Sequence, residues 1–176
     1  MSIRAEIGYR IGEGRLFQLP PLMASAPVVR TMFVGEAIFE AVTPPWDRSP
    51  DGYRLSRLRA DLDAFTEGHL ISIAEHPFKK PNIAYMARTH PPKDEVWDIR
   101  SRDPKPAIRV LGCFAETDTF IALVYDYRRN LGGPRSREWR NLIERCKAEW
   151  RKLFPSFPPH KGEDVNAYVS TNVYPL

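Results

Sequence analysis

The 176-residue chain carries 26 Lys/Arg against 22 Asp/Glu, with 43% hydrophobic and 27% charged residues; this composition excludes a disordered chain and suits one domain with a core. No run approaches the roughly 18 apolar residues of a membrane span, and Arg4, Glu6, Arg10, Glu13 and Arg15 break up the N-terminus where a signal peptide needs an apolar stretch. Cys113 and Cys146 stand in apolar surroundings and read as reduced hydrophobes, so a reducing, cytoplasmic location without a membrane partner is expected.

Seventeen prolines punctuate the chain, most of them in clusters that read as loops. Residues 1–27 read as an N-terminal extension. Residues 28–42 (VVRTMFVGEAIFEAV) are apolar and partly β-branched, which predicts a strand running into a helical turn. Over 53–66, Leu55, Leu58, Leu62 and Phe65 fall at helical spacing, and Gly68 follows as a stop signal. The stretch 77–93 is Pro-rich and reads as loop. Residues 96–100, 108–114 and 119–125 then predict three strands, and connections this short require an antiparallel meander. Residues 135–154 predict the strongest helix: Trp139, Leu142, Ile143, Cys146, Trp150 and Leu153 share one face, and the basic residues stay largely off it. The last segment, 155–176, reads as a tail in which Ala167–Ser170 is a short edge strand or ordered tail.

Charge is unevenly spread. Residues 88–152 hold 15 Lys/Arg against 10 Asp/Glu, and the remainder 11 against 12. A basic half raises local phosphate affinity, although a solvated basic helix face accounts for the asymmetry equally well. His69, His76, His90 and His160 form no i, i+4 pair, and no CxxC, HExxH, GxGxxG or Walker loop occurs, so neither metal nor cofactor is expected. What stands out is arginine and tyrosine around the meander. The first strand ends in Arg100, with Arg102 and Lys105 in the next turn. The second begins with Arg109, and the third ends in Tyr125-Asp126-Tyr127-Arg128-Arg129. In a meander these points meet at one sheet edge, where alternate side chains share a face. Guanidinium groups suit a phosphate under attack, and a positioned phenol is an allowed if weak acid–base group. The plainer reading is a solvated strand edge.

The order of these segments adds a resemblance. E-V-W-D-I-R-S-R (95–102), A-I-R-V-L-G-C-F (107–114), T-F-I-A-L-V-Y-D-Y-R-R (119–129) and G-P-R-S-R-E-W-R-N-L-I-E-R-C-K (133–147) together resemble the RelE/HigB superfamily of type II toxins. That resemblance implies an α+β fold over 28–154, with an antiparallel three- to five-stranded sheet packed against helices (RelE/ParE-like). It implies a ribosome-dependent endoribonuclease that cleaves mRNA by 2′-hydroxyl attack and is silenced by a cognate antitoxin. Arg109 looks like the arginine set against the scissile phosphate, and Arg128 and Arg129 like the basic pair after the third strand. Tyr125 stands where relatives carry histidine, Tyr127 where they carry an aromatic, and Asp98 where they carry glutamate. Arg100, Arg102 and Lys105 are the expected RNA contacts. The competing expectation is a non-catalytic protein-binding module of the same fold, a topoisomerase-directed toxin or a phage or mobile-element accessory protein.

Overall fold

A computed structural model describes residues 2–79 and 81–176. In chain order its elements are α1 (Ile3–Gly12), β1 (Phe17–Gln18), β2 (Thr31–Val34), α2 (Glu36–Val42), α3 (Pro50–Thr66), β3 (Ile71–Ala74), β4 (Met86–Arg88), β5 (Trp97–Ser101), β6 (Ile108–Glu116), β7 (Thr119–Tyr127), α4 (Arg137–Leu153), α5 (Val165–Tyr168) and β8 (Val173–Pro175). Among the described residues no helix is long and apolar enough to cross a membrane.

The strands form one eight-stranded sheet in the order β1-β2-β7-β6-β5-β4-β3-β8. The expected meander is its middle: β5, β6 and β7 pair antiparallel. The expected small antiparallel sheet is not what surrounds it. β2 joins β7 in parallel, and β3 pairs in parallel with both β4 and β8, so the sheet is mixed and nearly twice as wide. The missed strands have two to four residues, too few for alternation to show in a sequence. Residues 1–27 and 155–176, read as extension and tail, each contribute an edge strand, β1 and β8. Residues 165–168, read as strand or tail, are the short helix α5.

The sheet divides two cores. On one face Val110, Phe114 and Phe120 pack with Ile38 and Val42 of α2, with Leu58, Leu62 and Phe65 of α3, and with Tyr168 of α5. On the other, Leu111, Cys113 and Ile121 meet Trp139, Leu142, Ile143, Cys146, Trp150 and Leu153 of α4, together with Ile7 of α1. The six α4 residues are those that share a face at a 3.6-residue period, and all are buried. Each such side chain contributes about 1.5–3 kcal/mol on leaving water. Ser136 caps the helix by accepting from the Trp139 amide at 3.1 Å.

Two backbone features place the ligand-sized hollow described below. β6 and β7 shift register between Leu111 and Gly112, and a Cβ on Gly112 would lie 2.1 Å from the Ile121 carbonyl oxygen. Only glycine fits this bulge, which decides which side chains of the strand ends face α4. The second feature is the β3–β4 pair. Parallel neighbours cannot be joined by a hairpin, so the chain between them, described over 75–79 and 81–85, runs back past the sheet. That crossing carries Pro77, Phe78 and Asn82 to the ends of β5 and β6.

Candidate anion-binding site

Asp98, Arg100 and Arg109 stand on the α4 face because the register fixes them there. Asp98 lies opposite Leu111, and Arg100 opposite Arg109; Arg109 and Leu111, two apart on β6, point the same way. Arg109 Nη1 donates to Asp98 Oδ2 at 3.3 Å, and Arg100 Nε donates to the same oxygen at 3.2 Å. The carboxylate side chain is 2% exposed, Arg100 8% and Arg109 16%. Arg100 Nη1 also reaches the Pro81 carbonyl at 3.2 Å.

Arg128 joins them from the short turn after β7. Its amide donates to Ala107 O at 2.7 Å, and its guanidinium to Gly132 O. Gly132 has φ +57 and a Cβ there would lie 2.9 Å from Ser136 Cβ, so this loop needs glycine to present that carbonyl. Behind the site, Arg54 of α3 fixes the β5–β6 connection by donating to Pro106 O at 2.8 Å and to Ser101 O. The strand ends carrying Arg100 and Arg109 are thus tied down from beneath.

Between these arginines and the crossing loop lies a cavity of about 270 Å³ whose walls include Arg100, Arg109, Arg128, Asp98, Phe78 and Trp139. Among the described residues, three guanidiniums and one carboxylate line it. Burial is the main cause that lowers the Arg109 pKa to about 10; Asp98 opposes it, and Arg100, Arg128 and Arg102 add to it. A cation crowded by other cations is a place where an anion is favoured, because the anion relieves the repulsion and accepts several charge-assisted hydrogen bonds. The first turn of the 17-residue α4 adjoins the cavity through Trp139 and adds positive partial charge.

The remaining expected site residues lie elsewhere, and here the shared-face expectation is corrected. Tyr125 is opposite Val110 and Tyr127 opposite Ile108, so both phenols belong to the core under α2 and α3, across the sheet from Arg109. The Tyr127 hydroxyl donates to Asp51 of α3. Burial, then this hydrogen bond, pushes its pKa up to about 12; burial also raises that of Tyr125. Neither can transfer a proton at a phosphate held by Arg109. Arg129 is exposed, with its guanidinium 5.2 Å from the Tyr127 ring centroid. Arg102 is exposed and donates to Asn82 O, and Lys105 donates to Arg102 O at 3.1 Å; neither lines the cavity.

Sequence reasoning missed Phe78, Gly132, Pro134 and Trp139 as lining residues. One signal was present: His76-Pro77-Phe78-Lys79-Lys80-Pro81 sets an aromatic beside two lysines in a loop. Comparison of the chain with protein-family models, with curated proteins and with solved structures returned no match.

Proposed function

We propose that this protein binds single-stranded RNA, seating one backbone phosphate against Arg100, Arg109 and Arg128. The observation that carries the reading is Arg109 itself. It is a largely buried guanidinium held by Asp98 in the lining of a cavity, crowded by two further arginines. The buried arginines Arg30 and Arg54 spend their donors on backbone carbonyls, whereas Arg109 shares one carboxylate with Arg100 and opens onto a cavity. Charge-assisted contacts to phosphate favour this site for RNA, and they account for the basic half of the sequence as approach surface. The resemblance of residues 95–154 to mRNA-directed toxins supports the same ligand. mRNA cleavage would need an acid and a base beside the arginines, and the tyrosines expected in that role lie across the sheet.

Titration of a fluorescent single-stranded RNA tests the proposal. Wild type should bind with an affinity that falls as salt rises. Arg109→Met should weaken binding on the order of 10–100-fold, the value of one or two charge-assisted hydrogen bonds. Equal affinities for the two proteins would overturn the reading. The same titrated protein, added to a translation extract, tests cleavage separately through the appearance of cut transcripts.

A further inference from the structure

A second cleft opens directly beside the arginine cavity. It has a volume of about 400 Å³, and Phe78, Pro134 and Trp139 belong to the walls of both. The two hollows are therefore neighbours that share an aromatic ridge. Beyond that ridge the walls change character: His90, Ile143 and the aromatic ridge supply flat or apolar faces, and Arg135 and Arg140 of the α4 entry supply charge at the rim.

Phe78 is the unusual member. The residue is 48% exposed, yet its ring lies against two neighbours. The His90 ring centroid lies 4.9 Å away at a tilt of 42°, and the Arg135 guanidinium carbon sits 5.3 Å from its centroid. A ring held in advance loses little entropy when something stacks on it. The crossing loop that carries it is the one that parallel pairing of β3 and β4 directs over the arginines.

We propose that this second cleft receives a nucleobase of the strand whose phosphate occupies the arginine cavity, stacked among Phe78, Trp139 and the Arg135 guanidinium. The inference rests on the RNA-binding reading and deepens it. The ligand unit is a ribonucleotide gripped at both ends, its phosphate by guanidiniums and its base by flat faces. Stacking of this kind is tolerant of base identity, since every base has a π-face. Sequence preference is thus not expected to be strong at this position.

The test compares a short RNA with a strand of the same length and sugar–phosphate backbone in which every nucleotide is abasic. Each is titrated against wild type, Phe78→Ala, Phe78→Trp and Arg109→Met. Wild type should prefer RNA over the abasic strand on the order of 10-fold or more, the value of stacking one base. Phe78→Ala should lose most of that preference, its affinity for RNA falling further than its affinity for the abasic strand, and Phe78→Trp should retain it. Equal binding of the two strands by wild type would overturn the base cleft. So would a preference that survives Phe78→Ala unchanged. If Arg109→Met still weakens both strands, the phosphate reading stands in either case; if it weakens neither, that reading fails first.

Discussion

The two faces of the sheet at the ends of β5, β6 and β7 are built from neighbouring residues and do opposite work. On the α3 face, Tyr125, Tyr127, Val110 and Ile108 close a core, and the polar tip of Tyr127 is satisfied by Asp51. On the α4 face, one residue along each strand, Asp98, Arg100 and Arg109 remain at a cavity with cations in excess. The lesson is that residues adjacent in sequence here are separated by the thickness of a sheet. A run such as Tyr125–Arg129 is one motif on paper and two surfaces in space.

Four substitutions sharpen that contrast, and the largest effect belongs to the apolar face. Phe114 is fully buried, with Phe120 5.0 Å, Tyr168 5.3 Å and Trp97 5.8 Å away between ring centroids. Phe114→Ala should cost about 3–5 kcal/mol in denaturant unfolding. Where the protein is still folded, its RNA affinity should stay within about twofold of wild type, because the site is distant and shares no partner. A selective loss of binding would show that the two faces are coupled.

Arg109→Met should do the reverse, abolishing most RNA affinity while leaving stability unchanged or slightly raised. The sign follows from the depressed pKa. Folded Arg109 titrates near 10, below its usual 12.5, so the fold disfavours the charged form. That penalty is fully present below pH 10 and is relieved as pH rises through it. Removing the charge removes the penalty at neutral pH, and Arg100 still neutralises Asp98. A large drop in melting temperature would instead make Arg109 a structural residue.

Smaller effects finish the comparison. Ser136→Ala removes the α4 cap and should cost about 1 kcal/mol in thermal or denaturant unfolding. Tyr127→Phe deletes the hydroxyl that reaches Asp51 and should cost about 0.5–1.5 kcal/mol, with no change in RNA affinity. If Tyr127→Phe impaired binding, the assignment of the two faces would be in error.

Much of the site was legible in the sequence, but its division was not. The spacing of Trp139 through Leu153 announced which face of α4 is buried. The three apolar runs and their short links announced the meander and brought Arg100, Arg109 and Arg128 to one edge. The pleat was harder to read. Whether Tyr125 shares a face with Arg109 depends on the pairing of Arg109 with Asp126, and a slip of one residue reverses the answer. The bulge at Gly112 shifts that register, and its cause is a close approach to Ile121 O from another strand. The wider sheet was hidden for a related reason. β3 and β8 are short strands whose partners, such as Ile71 and Val173, lie far apart in the chain. With them was hidden the crossing loop that turns Phe78 toward the arginines.

The most direct measurement is a crystal structure of the protein soaked with a short single-stranded RNA. The account predicts one phosphate within hydrogen-bonding distance of the Arg100, Arg109 and Arg128 guanidiniums, on the α4 side of the sheet. RNA density found instead along the Tyr125–Tyr127 side, with the arginine cavity filled only by water, would contradict it.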